Sequence, residues 1–132
     1  MIASTTADVA GIDNRTDDPA VWTALLALCE CVLQPIRDHY GAPIRIASGY
    51  RCEALNRLVG GAPDSQHVLG EAADFVVDGV DIDDLMAWIV SSGLDYDQAI
   101  REPTWIHISH TTRRANRRQA LVRTRSGYAI HT

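Results

Sequence analysis

The sequence predicts a single α+β domain over residues 1–132, with a small, mostly antiparallel sheet and helices packed on one side of it. A chain of 132 residues is the size of one ordinary domain. Its hydrophobic content of 46% and charged content of 22% are typical of a folded globular protein. Helical and strand patterns are mixed, and the last predicted strands follow one another without intervening helices.

Two helices are predicted in the first third of the chain. Ser4 can cap a short helix, and Asp18 can cap a longer one that has Pro19 at its first position. In the longer helix apolar residues recur at spacings of three and four up to about His39, and a bend is expected at Pro35. The predicted apolar face consists of Trp22, Leu25, Leu26, Cys29, Val32, Leu33 and Ile36.

The later elements are predicted from alternating apolar residues, helix caps and glycines. Asp81 can cap a helix that Gly93 ends, and Glu102-Pro103-Thr104-Trp105 is typical of a tight turn between two strands. Strands are expected over residues 43–47, 72–77, 96–102, 105–110, 119–124 and 128–132, and further helices over residues 51–59 and 83–92.

The charged residues are distributed unevenly along the chain. All 17 acidic residues lie in residues 1–102, whereas residues 103–132 contain six arginines and no acid, within a net charge of -5. A basic end can bind a polyanion, but a solvated hairpin packed on the acidic body is the expected structure. No nucleic-acid partner is expected, because no aromatic residue is interleaved between Arg113 and Arg125.

The sequence also predicts the compartment in which the protein is made. The first residues lack the basic start and apolar core of a secretory signal, so synthesis in the cytoplasm is expected. The longest apolar stretch, Leu25 to Leu33, is interrupted by Glu30, and no membrane partner is predicted. Three cysteines without zinc-type spacing are interpreted as free thiols.

Two candidate metal ligands, His67 and Asp74, flank a loop. A histidine nitrogen and a carboxylate oxygen are ordinary zinc ligands, and Gly70 and Ala72 are small enough for the backbone to pass close to a site. A hydrogen-bonded structural pair is the alternative explanation at this spacing.

A third candidate ligand, His107, lies in the predicted strand that follows Trp105. Because side chains alternate along a strand, Ile106 and Ile108 face the core and His107 faces the opposite side. His110 falls on the isoleucine side and is therefore rejected as a ligand. Two nitrogens and one oxygen leave the fourth tetrahedral position for water, which is typical of a catalytic zinc site.

Glu102 is the candidate general base. A two-residue turn pairs Glu102 with Trp105, which puts both on the face of His107, and the diagonal separation of about 7–8 Å is within reach of a glutamate side chain. The alternative is a surface turn residue. Arg51, between a strand and a helix, carries fork-shaped donors suited to a carboxylate or a polarised carbonyl. Taken on its own, however, Arg51 is better explained as a surface residue paired with Glu53 or an aspartate.

The chain resembles the zinc D-Ala-D-Ala carboxypeptidase family, which includes D-Ala-D-Ala dipeptidases and phage L-alanyl-D-glutamate endolysins. The resemblance extends through Ser109 and is closest to the short phage and prophage branch; it implies a fold like that of the hedgehog amino-terminal domain. The matching motifs are Ser65-x-His67-x-x-Gly70-x-Ala72-x-Asp74, Trp105-x-His107, Ser48-Gly49-Tyr50-Arg51, Leu55-Asn56, Val59-Gly60-Gly61, Gly11-Ile12-Asp13-Asn14 and Leu33-Gln34-Pro35-Ile36-Arg37.

The resemblance implies one Zn²⁺ per chain, bound by His67, Asp74 and His107. It also implies that Arg51 binds or polarises the scissile peptide group. Ser65 and Gln66 would line the substrate site, and Trp105 could form a wall of the cleft.

One position departs from the family pattern. Many members carry the catalytic carboxylate three residues before the last histidine ligand, where this chain has Thr104. The nearest acid is Glu102. If Glu102 faced solvent, Glu71 or Asp64 would have to be considered as the base, or the protein would not be an active peptidase.

The resemblance and the residues together predict a zinc peptidase that cuts peptidoglycan stem peptides, as a D,D-carboxypeptidase or an endolysin-type endopeptidase. It would act on the cell wall, as a monomer or as part of a larger virion assembly, and a phage origin would fit the resemblance. The alternative is a non-catalytic, zinc-stabilised module that binds the cell wall or serves as a virion component.

Overall fold

The architecture is a sheet with the longer helices packed on one face, in agreement with the predicted α+β class. The computed structural model describes residue 2 and residues 4–132. The strands are β1 (Ile44–Ser48), β2 (Ala72–Val77), β3 (Gln98–Arg101), β4 (Ile106–Ser109), β5 (Gln119–Thr124) and β6 (Gly127–Ile130). The helices are α1 (Thr5–Ala10), α2 (Pro19–Leu28), α3 (Gln34–Tyr40), α4 (Glu53–Leu58) and α5 (Ile82–Ser91), with a π-helical segment (Cys29–Leu33) joining α2 to α3.

The six strands are arranged in the order β1-β2-β4-β3-β5-β6. Neighbouring strands are antiparallel except β3 and β5, which are parallel. The parallel pair arises because residues 110–118 cross the amino-terminal end of β3 before β5 begins. The Arg118 N–H donates to the Tyr96 carbonyl at 3.1 Å, and the Gln119 N–H donates to the Asp97 carbonyl at 3.0 Å. The prediction of a mostly antiparallel sheet is confirmed.

The long helix differs from its predicted apolar face. Trp22 and Leu26 are 48% and 58% exposed, so their predicted burial is wrong, whereas Leu28 is fully buried. The irregularity near Pro35 is the π-helical segment that immediately precedes α3, where the Gln34 N–H donates to the Cys29 carbonyl. A π turn contains more residues than an α turn and shifts the phase of the buried face, which a regular helical spacing does not anticipate.

The same helix forms the centre of the core. Residues Pro19–Tyr40 are long and apolar enough to cross a membrane by length and composition, which the sequence expectation missed. However, Leu28, Val32 and Ile36 are fully buried in a cluster with sheet residues, as expected of a core helix. The sheet contributes Ala73, Phe75, Val77, Ala99, Ile106 and Ile108 to this cluster, and α5 contributes Leu85, Met86 and Ile89.

The alternation of side chains along two central strands determines where the polar face lies. In β2, Ala73 and Phe75 are fully buried in the core, so Asp74 projects from the opposite face. In β4, Ile106 and Ile108 are fully buried, and His107 projects from the same face as Asp74. The candidate site therefore lies on the side of the sheet away from the core helices.

Candidate metal centre

The three candidate ligands come together at the centre of the sheet. Asp74 in β2 is paired directly with His107 in β4. His67 comes from the loop that precedes β2, and its carbonyl accepts a hydrogen bond from the Arg51 N–H at 3.0 Å. The ligand atoms of His67, Asp74 and His107 all lie within 4.8 Å of one another, so the structure brings the predicted set together.

The distances between the ligand atoms fit a zinc ion. Oδ1 of Asp74 lies 3.3 Å from Nε2 of His67 and 2.9 Å from Nδ1 of His107. Nitrogen and oxygen ligands at their usual distance from a tetrahedral zinc are about 3.3 Å apart. The donor types and these two distances therefore suit a site in which the three residues could hold a zinc ion.

His67 is held in the tautomer that a metal ligand needs. Its Nδ1 lies 2.7 Å from the carbonyl oxygen of Gly49, so Nδ1 carries the proton and donates to that carbonyl. The lone pair of Nε2 is then directed at Asp74. Such a hydrogen bond to the outer nitrogen is a common way of orienting a ligating imidazole. His67 is 2% exposed, which limits its freedom to rotate.

Asp74 is held as a carboxylate by its two histidine neighbours. Burial disfavours its charged form, but the neighbouring imidazoles, with a hydrogen bond from His107, outweigh burial and hold the pKa of Asp74 well below its ordinary value. An ionised oxygen between two imidazoles is the form in which a carboxylate binds zinc.

His110 lies outside this cluster, as the strand alternation predicts. It is buried, and its Nδ1 lies 2.6 Å from the carbonyl oxygen of Asp95. His110 therefore supports the loop after β4 through a backbone contact of the kind that His67 makes with Gly49.

Glu102 is buried beside the candidate ligands. The Glu102 N–H donates to the Trp105 carbonyl at 3.0 Å, as expected for residues paired across a two-residue turn. Glu102 is only 8% exposed and lines the same cleft as His107, whereas Thr104 is exposed at the turn. Burial raises the pKa of Glu102, opposed by Arg123 and His107 and reinforced by Asp74. Its role as the base stays a prediction.

Arg51 presents an unused donor to the site. Burial lowers the pKa of Arg51, and the charge of Asp74 opposes that effect. Its Nη2 donates to the Ser65 hydroxyl oxygen at 3.3 Å, and among the described residues its buried Nε has no hydrogen-bond partner. A buried guanidinium donor without an acceptor is suited to receive a carbonyl or carboxylate oxygen.

The candidate site lies in a cleft of about 700 Å³. All the predicted substrate-contacting side chains line it: Ser65, Gln66 and Trp105. Asp64 lines the cleft as well. Glu71 does not, and its carboxylate is occupied by Arg113, with Nε–Oε2 at 2.8 Å and Nη2–Oε1 at 2.9 Å. Glu71 is therefore a structural acid, and it is not placed to act as a base.

The sequence model of the Peptidase M15 family matches residues 1–109. This chain belongs to the Peptidase M15 family. M15 peptidases are zinc-dependent, and in this member His67, Asp74 and His107 are the residues that could hold the ion. No curated protein sequence matches the chain.

Two buried asparagines support the site of this M15 member, and sequence reasoning assigned them no role. The amide of Asn14 donates to the Tyr50 carbonyl at 3.0 Å and its oxygen accepts from the Cys52 N–H at 2.7 Å, which fixes the backbone on both sides of Arg51. Asn56 donates to the Ala62 carbonyl at 2.8 Å, at the start of the loop that carries His67. Both asparagines belong to motifs that match the family, and this match was the one sequence feature that could have indicated their supporting role.

A third supporting residue is Glu71. Besides Arg113, its carboxylate accepts from the Thr111 hydroxyl at 2.8 Å and from the Gln66 amide at 3.1 Å. Burial would raise the pKa of Glu71, but these hydrogen bonds outweigh burial and lower it. Glu71 thus holds Gln66 at the edge of the M15 cleft.

Gly70 allows the ligand loop to pack on α2. Its φ is +76°, and a Cβ built there would lie 2.8 Å from the Val21 carbonyl oxygen. We expect Gly70→Ala to lower the free energy of unfolding by about 2–4 kcal/mol, through left-handed strain and the clash together. It should also weaken zinc binding, because the loop that carries His67 must shift. Urea unfolding and a zinc competition titration measure the two effects.

Gly93→Ala is the matched control. Gly93 has a φ of +77°, but a Cβ there would meet nothing within 4 Å. It should therefore cost only the strain, about 1–2 kcal/mol, and leave zinc affinity unchanged. Equal effects of the two substitutions on stability and zinc affinity would contradict this account of Gly70.

Proposed function

We propose that this M15 family member is a zinc peptidase that hydrolyses peptide bonds in peptidoglycan stem peptides. The observation that carries the proposal is a single cleft that contains the candidate zinc ligands, the buried Glu102 and the half-buried Arg51. A peptidase needs a metal site, a proton carrier and an oxyanion donor within reach of one carbonyl group. The cleft has a candidate for each.

The protein side chains divide the proposed chemistry between them. When bound, zinc lowers the pKa of a water molecule towards neutrality and polarises a carbonyl group. Glu102 accepts a proton from water and delivers it to the leaving amine. Arg51 donates to the oxyanion that develops on the scissile carbonyl, using the Nε that has no partner among the described residues. Ser65 orients Arg51 through its hydroxyl group.

The substrate class is proposed from the resemblance to D-Ala-D-Ala peptidases and phage endolysins, together with the peptide-sized cleft. The protein would act on the cell wall, without a nucleic-acid or membrane partner. It would work as a monomer or within a virion assembly.

Digestion of purified peptidoglycan by the zinc-loaded protein tests this proposal. We expect one zinc per chain, release of peptide fragments with new amine termini, loss of release after chelation and recovery on adding zinc. Metal analysis gives the stoichiometry, and mass spectrometry of the fragments identifies the bond as D-Ala-D-Ala, L-Ala-D-Glu or a cross-bridge.

A specific observation favours one other function, namely that Thr104 occupies the position where many family members have an acid. Such a protein would be a zinc-stabilised module that binds the wall without cutting it. Intact stem peptides after incubation with protein that holds one zinc would reject the peptidase and support this module.

A further inference from the structure

The cleft has a basic end formed by a segment outside the family match. Arg113, Arg114 and Arg117 line the same cleft as the candidate zinc ligands. They lie in the connection between β4 and β5, beyond residue 109, where the match to the M15 model ends. The family pattern therefore does not account for this segment.

Two of these arginines share one buried carboxylate. Asp97 is fully buried, and its oxygens accept from Arg114 Nη1 at 2.7 Å and Nη2 at 3.1 Å. The same oxygens accept from Arg117 Nε at 3.1 Å and Nη2 at 2.9 Å. Burial alone would raise the pKa of Asp97, but the two guanidiniums outweigh burial and hold it well below its ordinary value. One negative charge thus orients two positive charges.

The shared carboxylate leaves a positive charge in excess at this end of the cleft. Arg113 is matched by its own acid, Glu71, in a separate ion pair. Arg114 and Arg117 have only Asp97 between them, and their side chains remain 42% and 49% exposed. Among the described residues, no hydrogen-bond acceptor contacts Nη1 of Arg117. A fixed, partly exposed guanidinium with free N–H groups is suited to a planar carboxylate.

We propose that Arg114 and Arg117 form a subsite that binds a side-chain carboxylate of the peptide substrate. The inference rests on the proposed peptidase function, because it assigns substrate contacts within that cleft. A carboxylate on the peptide itself is favoured over a separate phosphate polymer, since the subsite and the candidate metal centre share one cleft. The subsite selects acidic peptides, and amidation of their carboxylates removes the attraction.

Binding of matched peptides to the zinc-loaded Glu102→Gln protein tests the subsite without relying on turnover. The probes are a peptidoglycan stem peptide with free side-chain carboxylates and the same peptide with those carboxylates amidated. By calorimetry we expect the free form to bind about tenfold more tightly, the size of a charge-assisted contact. Introducing Arg117→Gln into the Glu102→Gln protein should abolish the preference for the free carboxylates. Asp97 keeps Arg114 as its partner in this variant.

Arg125→Gln is the matched control. Arg125 is exposed and does not line the cleft, so this change in charge should preserve the preference. If Arg117→Gln fails to fold, Arg114→Gln supplies the same test, because Arg117 then retains Asp97. Equal binding of the two peptides by the parent protein, or a preference that survives loss of either arginine, would overturn the subsite.

The outcomes separate this inference from the proposed function. Arginine-dependent preference without cleavage by the wild-type protein would retain the subsite and reject the peptidase. Cleavage without preference would retain the peptidase and reject the subsite. Arginine-dependent binding of a glycerol phosphate oligomer, with no discrimination between the peptides, would also overturn it and assign the arginines to a wall polymer.

Discussion

Glu102→Gln is expected to lower kcat on peptidoglycan stem peptides by about 10²–10⁴-fold, the usual contribution of a general acid–base group. Glutamine keeps the size of the side chain and removes its ability to carry a proton. KM should change little, because Glu102 would act on water and the leaving amine and not on the bound peptide. Zinc stoichiometry should stay at one, since Glu102 is not in the candidate ligand group.

The appropriate control for this prediction is Glu30→Gln, which removes the same charge from an exposed residue of the π-helical segment. It should leave kcat unchanged. Single-turnover cleavage of a defined stem peptide, with zinc measured on the same samples, separates loss of chemistry from loss of metal. An unchanged rate in zinc-loaded Glu102→Gln protein would eliminate Glu102 as the base. Asp64, which also lines the cleft, would then be the next candidate for the base.

His67→Ala is expected to abolish both stoichiometric zinc binding and turnover. It removes a ligand directly, so affinity should fall by more than the 10–100-fold typical of losing an outer hydrogen-bond partner. The Gly49 carbonyl also loses its donor, which should lower the free energy of unfolding of the metal-free protein by about 1–3 kcal/mol. Zinc should raise the unfolding temperature of the wild-type protein but not of the variant.

His110→Ala separates these two effects. His110 is buried and also contacts a backbone carbonyl, that of Asp95, but it is not part of the ligand cluster. Its loss should destabilise the protein by a similar amount while one zinc is retained. If His67→Ala does not fold, His107→Ala, at a less buried ligand, provides the same test. Retention of one zinc equivalent by either ligand variant would contradict the assigned site.

The fold could be predicted where its signals are local. The side chains of Ser4, Asp18 and Asp81 accept hydrogen bonds from the first turns of their helices, as their sequence positions predict. The parallel pairing of β3 with β5 could not be predicted, because it depends on contacts of residues 110–118 with the residues at the amino-terminal end of β3. The buried face of the long helix shifted because a π turn has no distinctive local pattern.

In the candidate site, too, local patterns could be predicted and contacts between distant residues could not. Strand alternation and a two-residue turn suffice to place His107 and Glu102 on one face, and the structure confirms that placement. The hydrogen bonds of Asn14 and Glu71 could not be predicted from local patterns, because each side chain bonds to residues far away in sequence. The same is true of the two arginines on Asp97, since the sequence shows a basic stretch without showing which acid orients it.

The hydrogen bonds of Asn14 connect Ile2 to the cleft, although Ile2 itself does not line it. The Asn14 amide also donates to the carbonyl of Ile2 at 2.7 Å, so one side chain ties the beginning of the chain to the backbone around Arg51. Removal of Ile2, or a bulky affinity tag fused before it, would therefore act through Asn14 on the backbone around Arg51, the residue proposed to bind the scissile carbonyl group. A tag at the carboxyl end of this chain should disturb the backbone around Arg51 less than a tag fused before Ile2.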